Sequence, residues 1–221
     1  MGLDTLTNTL TGILLAASAG LNAYIPLLGL ALADRATSSI ELSKPFDVIS
    51  GPAGIAILLF LLTIDLVVDK IPRLDHINDL ISTALRPAAG MFLIMAVTDG
   101  KGEIDEVVAM LLGLFIAGGV HAYKAINRVK LAFRSTGIAN PLVSLVEDGI
   151  AAMLTLLALA LPWLGLVFLG FGGFALSWFY RIVPNSFGGS ASARASTIPA
   201  ADLPLDPPVM REIDENYRAQ S

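Results

Sequence analysis

The chain has 221 residues, with 14 Lys and Arg, 19 Asp and Glu, no cysteine and a formal net charge of −5. Hydrophobic residues make up 55% and charged residues 15% of it, where an ordinary soluble domain carries about 25% charged. That balance excludes a basic nucleic-acid-binding domain, and the missing cysteines exclude disulfides, cysteine-zinc sites, iron–sulfur clusters and thiol nucleophiles.

The charges are unevenly placed. No Asp, Glu, Lys or Arg falls between Asp4 and Asp34, between Asp47 and Asp65, or between Asp148 and Arg181. A water-facing helix needs a polar face, and these stretches lack one. The pattern therefore predicts an all-α, polytopic membrane protein, with spanning segments of about 20 apolar residues each.

In chain order the first segment is Leu10 to Ala33. Ala17-Ser18-Ala19 fits a signal-peptidase site, but no Lys or Arg precedes it and the apolar run continues past it, so a span is the better reading. Gly51 to Val68 is the second segment. The third, Ile77 to Val97, carries Arg86-Pro87 in its middle. Proline disfavours helix at the residue before it, so Leu74–Leu85 reads as an amphipathic interfacial piece and Pro87–Val97 as a short or tilted span. Val107 to Tyr123 is the fourth segment and Leu142 to Leu161 the fifth. After Pro162-Trp163 comes Leu164 to Val183, the sixth.

With both termini cytoplasmic, 11 of the 14 Lys and Arg fall on the inner side and 3 (Arg35, Lys44, Lys101) on the outer, as the positive-inside rule requires. The expectation is a multi-pass membrane protein with six spans over residues 1–183. From 184 to 221 the chain is rich in Gly, Ser and Pro, which predicts a flexible cytoplasmic tail.

An internal echo links Ala19-Gly20-Leu21-Asn22-Ala23-Tyr24 with Gly118-Gly119-Val120-His121-Ala122-Tyr123. Gly51-Pro52 and Asn140-Pro141 likewise stand before the segments that follow each echo. Two three-helix copies, residues 8–98 and 105–183, would be inverted relative to one another, as in many transporters. Chance is the rival reading, because small residues are common in membrane helices.

The run Gly20-Leu21-Asn22-Ala23-Tyr24-Ile25-Pro26-Leu27, then Asp69-Lys70-Ile71-Pro72, Asp75-His76 and Arg86-Pro87-Ala88-Ala89-Gly90, resembles a bacterial membrane family catalogued as domain of unknown function 4126. Gly137-Ile138-Ala139-Asn140-Pro141-Leu142-Val143-Ser144 and Glu147-Asp148 look like its second signature. The resemblance runs from about Leu14 to Val183, and the loop after Tyr123 departs from the family pattern. It implies an integral membrane protein and no established activity.

Polar residues inside apolar segments are the candidate site. Asp65 and Asp69, four apart, share a helix face; an acid at mid-membrane costs roughly 2.5–3.5 kcal/mol and less near the interface. Asp65 then reads either as an ion, proton or substrate ligand or as the partner of Arg86 or Lys124. Glu147 and Asp148 lie beyond the reach of a helix-dipole explanation if Asn140 caps the helix, so one of them is expected to face inward. Asn22 reads as an interhelical hydrogen-bonding group, with Tyr24 beside it in the echo. His121 occupies the echo position of Asn22. Arg86 reads as a counter-charge or an anion ligand at a helix break, which persists at membrane depth only where protein or a water cavity satisfies the freed backbone. No HxxxH or HExxH spacing supports a metal, and no cofactor motif, GxSxG or phosphate loop is present; the chain does not read as an enzyme.

The function expected is a small transporter or channel for an ion or small polar solute, with Asn22, Tyr24, Asp65, Asp69, Arg86, His121, Asn140, Glu147 and Asp148 lining its path. Two other functions remain open: a structural or assembly subunit with static charge pairs, and a lipid-handling protein. The expected partners are the bilayer, an ion or small polar ligand, and a second copy or another membrane protein.

Overall fold

A computed structural model describes residues 3–37, 40–68, 75–98, 104–135 and 140–187. It holds seven α-helices and no strand among those residues: α1 Leu3–Leu21, α2 Tyr24–Ala36, α3 Pro52–Val68, α4 Asp75–Thr98, α5 Glu106–Ser135, α6 Asn140–Ala160 and α7 Pro162–Phe187. A single 3₁₀ turn, Phe46–Ile49, precedes α3. Four stretches are long and apolar enough to cross a membrane: Ile81–Thr98, Glu106–Val129, Leu142–Ala160 and Pro162–Ile182. The tail from residue 188 onward lies outside the described residues, and α7 continues past Pro184 as far as Phe187.

The first expected span is two helices. Leu10–Ala33 does not continue in one direction, because the chain leaves helix at Asn22-Ala23 and reverses. Cross-chain contacts fix the reversal. Thr11 Oγ1 donates to Ala158 O at 3.2 Å and Ser18 Oγ to Ala151 O at 2.9 Å, so α1 runs antiparallel to α6. Asn22 reaches Asp148, while a Cβ at Gly29 would meet Thr155 and Leu159, so α2 runs parallel to α6. α1 and α2 are therefore a hairpin. At about 1.5 Å per residue α2 is roughly 20 Å long, short of a bilayer core.

α1 is the central helix. Its Leu14, Ala16, Ser18, Ala19 and Gly20 are buried, and α4, α5, α6 and α7 pack around it. Small residues make this possible: a Cβ at Gly20 would lie 2.7 Å from Ala117 O, and one at Gly12 would lie 3.2 Å from Ile94 Cα. In lipid, helices associate through such close backbone approach and through hydrogen bonds, here Ser18 to Ala151 and Thr155. The tightest crossing is α4 on α5, where a Cβ at Gly113 would come within 2.3 Å of Gly90 O.

α4 is unbroken through Arg86-Pro87, so the described part of the expected interfacial piece, from Asp75 on, forms one helix with the tilted span expected of Pro87–Val97. The proline ring packs across to α5, near Gly118. The fourth segment also extends beyond Tyr123, since α5 continues to Ser135.

These contacts gather the C-terminal ends of α1, α3, α5 and α7 with the N-terminal ends of α2, α4 and α6 at one end of the bundle. The first echo segment covers the end of α1 and the break after it, the second lies on α5, and α1 and α5 run side by side in the same direction, with Gly20 against Ala117 and Val120. Inverted copies would not place them so. The start of α1 and the end of α7 fall at opposite ends of the bundle.

Gly113→Val is expected to cost about 3 kcal/mol or more, because backbone and not a flexible side chain occupies the space. The thermal midpoint in detergent should then drop by roughly 10 °C. Gly119→Ala, where a Cβ meets nothing within 4 Å, should leave it in place.

Candidate functional site

Among the described residues, three carboxylates and three Lys or Arg side chains are buried in the bundle at the end where α1 turns into α2: Asp65, Glu147 and Asp148, with Arg86, Lys124 and Arg128. Three negative charges thus face three positive ones in a medium where an isolated ion is very costly. The local sequence delivers them on suitable faces. His121, Lys124 and Arg128 follow i, i+3, i+7 along α5 and share one stripe. Glu147 and Asp148 lie two turns into α6, and Asp65 one turn from the end of α3.

Asn22 organises the acidic half. Its Nδ2 donates to Asp65 Oδ2 at 2.9 Å and to Asp148 Oδ1 at 3.0 Å. Its Oδ1 accepts from the backbone N–H of Tyr24 at 3.0 Å and more weakly from that of Ile25 at 3.4 Å, which is N-cap chemistry for α2. One amide therefore caps the reversed helix and holds two carboxylates within its own reach. Tyr24, half-buried, stands within electrostatic range of both Asp65 and Arg86.

Glu147 organises the basic half. It is 0% exposed, and its Oε2 lies 3.0 Å from Lys124 Nζ and 2.8 Å from Arg128 Nη2. Its Oε1 accepts from Tyr180 Oη. Lys124 Nζ also donates to Leu21 O at 2.9 Å. Leu21 is the last residue of α1, so its carbonyl has lost the helical partner it would otherwise bond. The ammonium ties the helix break to the carboxylate.

On the α4 side, Arg86 Nη1 lies 3.1 Å from His121 Nδ1, and Thr83 Oγ1 3.2 Å from His121 Nε2. A guanidinium can only donate, so Nδ1 accepts and Nε2 carries the hydrogen toward Thr83. Arg86 is 1% exposed, and its Nη2 finds no acceptor among the described residues.

The expected site residues thus divide. Asn22, Asp65, Arg86, His121, Glu147 and Asp148 converge on one layer, and Tyr24 borders it. Asp69 and the side chain of Asn140 lie outside the described residues. Both acids of the Glu147-Asp148 pair face inward, toward different partners: Glu147 toward the α5 bases, Asp148 toward Asn22. Of the two partners proposed for Asp65, Lys124 lies against Glu147 and Arg86 against His121, while Asn22 bonds Asp65. Among the described residues no three of His, Cys, Asp and Glu converge as metal ligands. Arg128 and Tyr180 belong to the layer without having been singled out, and Lys124 was considered only as a partner of Asp65; the i, i+3, i+7 stripe on α5 was the available signal for the two bases.

Asp148 also lines a groove of about 990 Å³ between α2, α3 and α6. A second, smaller cavity of about 210 Å³ lies between α1, α5, α6 and α7, with Tyr123 the polar residue in its wall.

A helical bundle with long apolar helices and an internal layer of compensated charge defines an integral membrane protein. The chain belongs to the family described as a domain of unknown function (DUF4126), whose model matches residues 9–182. No curated protein and no solved structure matches it.

Glu147→Gln removes the carboxylate from between two buried cations, and breaking a buried ion pair from one side costs about 3–5 kcal/mol. Tyr180→Phe removes one hydrogen bond to the same carboxylate and should cost about 1–3 kcal/mol. Chemical unfolding in detergent measures both, and the order of the two losses is the prediction.

Proposed function

We propose that the protein is a small transporter whose cargo is a cation, an inorganic ion or a proton, bound between Asp65 and Asp148 in exchange for the Asn22 amide. The observation that carries this reading is the interruption of the chain at Asn22-Ala23 within the buried charge layer. Interrupted helices at membrane depth characterise transporter sites, because freed backbone groups and helix ends supply ligands. Here the interruption frees Leu21 O, which Lys124 takes up, and gathers two carboxylates on the Asn22 amide. Among the described residues no catalytic constellation accompanies them, and a carrier fits better than an enzyme.

The packing suggests how such a carrier moves. α3 rests on α2 and on the 3₁₀ turn and has little contact with the rest of the bundle. The hairpin arm α2–α3 would rock against a frame of α1 and α4–α7 that the Glu147 cluster and the Gly90–Gly113 crossing hold together. Two copies of a three-helix unit, the expectation from the echo, are not needed for this motion. The end carrying Arg86, Lys124 and Arg128 is assigned to the cytoplasm of a bacterial inner membrane by the positive-inside rule. That assignment places the end of α7 inside and the start of α1 outside.

A second reading has its own support. Glu147 is fully enclosed by Lys124, Arg128 and Tyr180, as expected of a static subunit that docks a partner in the membrane. The two readings differ in flux. Purified protein in liposomes, under an imposed potassium, sodium or proton gradient, should carry one of these ions above the empty-vesicle rate. Asp65→Asn and Asp148→Asn should each reduce that rate at least tenfold. No flux above empty vesicles favours the static subunit; flux indifferent to both substitutions overturns the Asp65–Asp148 site. Sidedness is tested separately: cysteines placed at Leu3 and at Arg194 of this cysteine-free chain should label from opposite faces of the membrane.

A further inference from the structure

The groove between α2, α3 and α6 is larger than an inorganic ion needs. Its volume of about 990 Å³ is at the upper end of the roughly 300–1,000 Å³ typical of organic-ligand sites. Its walls are aliphatic, with Leu28 and Leu32 from α2, Leu62 and Leu66 from α3, and Leu156 and Leu159 from α6. Leu32 and Leu156 are half-exposed or more and form a rim that faces the surrounding hydrocarbon. The groove therefore opens sideways into the membrane.

Charge selects among the molecules that would fit. Asp148 is the sole ionisable residue of the lining, which contains no Lys, Arg or His. A lipid anion would bring its charge against a carboxylate. A neutral hydrocarbon would gain nothing from one. A cation with a bulky apolar body would satisfy both features, with its body among the leucines and its charge at Asp148. From there Asn22 is one hydrogen bond away and Asp65 two. Gly149, next to Asp148, keeps the approach open, because a Cβ at that position would meet nothing within 4 Å.

We propose that this groove binds amphipathic organic cations, of ammonium or phosphonium type, which enter laterally from the bilayer and place their charge at Asp148. This goes beyond the small-cation cargo of the transporter reading by adding a second substrate class, and it rests on that reading for the movement that would follow binding. The groove also explains the looseness of α3. A wall that touches the bundle mainly through α2 and the 3₁₀ turn can adjust to bodies of different shape.

The test uses two probes of one shape and opposite charge, tetraphenylphosphonium and tetraphenylborate, on the full chain in lipid nanodiscs, with empty nanodiscs subtracted. The wild type should bind the phosphonium saturably and at least tenfold more tightly than the borate. Asp148→Asn should weaken phosphonium binding tenfold or more. Gly149→Phe and Ala152→Phe, which fill the groove with the carboxylate left in place, should do the same while the thermal midpoint stays near that of the wild type. Equal binding of the two probes would make the groove a charge-blind hydrocarbon site and overturn the proposal. So would phosphonium binding that all three substitutions leave intact, or no saturable binding at all. If phosphonium fails to bind while small-cation flux still depends on Asp65 and Asp148, this inference falls and the transporter reading stands. If both are absent, both fall.

Discussion

The structure depends on one amide. Asn22 sits where the chain reverses, and its side chain caps the new helix through Oδ1 while its Nδ2 reaches Asp65 and Asp148. In a hydrocarbon medium neither task can be left to water. An interrupted helix needs acceptors for its first N–H groups, and two adjacent carboxylates need donors. An asparagine answers both because one side chain offers an acceptor and two donor hydrogens. A carboxylate at the same position would cap the helix but would add a third negative charge.

The remaining charges follow from that arrangement. Two acids on one side of the break and one on the other are matched by Lys124, Arg128 and Arg86, and Lys124 joins the two sides by donating to Leu21 O and to Glu147. Burying six ions is no source of stability in itself, since desolvation can exceed the attraction between partners. The bundle offsets that cost with close packing elsewhere, where Gly12, Gly20, Gly90 and Gly113 let backbones approach. A layer that is expensive to bury and yet bridges an interrupted helix is better explained by use than by stability.

Much of this was legible in the sequence. Polar groups such as Asn22, Asp65, Glu147 and Asp148 stand out because an apolar run makes each one costly, and all four meet in the layer. The starts of α3, α6 and α7 fall at Gly51-Pro52, Asn140-Pro141 and Pro162, since proline is welcome in a first helical turn. The hairpin was not legible, because hydropathy is blind to direction and Leu10–Ala33 is apolar on both sides of the turn. Pro26 was the local clue: it occupies the first turn of α2, where a missing N–H costs nothing. Arg86-Pro87 misled in the opposite sense, since α4 accommodates its proline without ending. The apolar run stops at Tyr123, so hydropathy alone does not carry Lys124 and Arg128 into the bundle, whereas α5 continues as helix and brings both into contact with Glu147.

The central claim is the reversal at Asn22-Ala23, and a distance measures it most directly. The absence of cysteine from the chain allows spin labels at Leu6→Cys and Leu32→Cys with no background sites, both on exposed positions of α1 and α2. Pulsed electron resonance on the labelled protein in nanodiscs reports their separation. A hairpin places the two backbones about 15 Å apart, from the helix rise and an interaxial spacing near 10 Å. One continuous spanning helix would place them about 39 Å apart. A distribution centred between 15 and 25 Å, label arms included, is the predicted result. A distribution centred near 40 Å would contradict the hairpin, and with it the placement of Asn22 between Asp65 and Asp148.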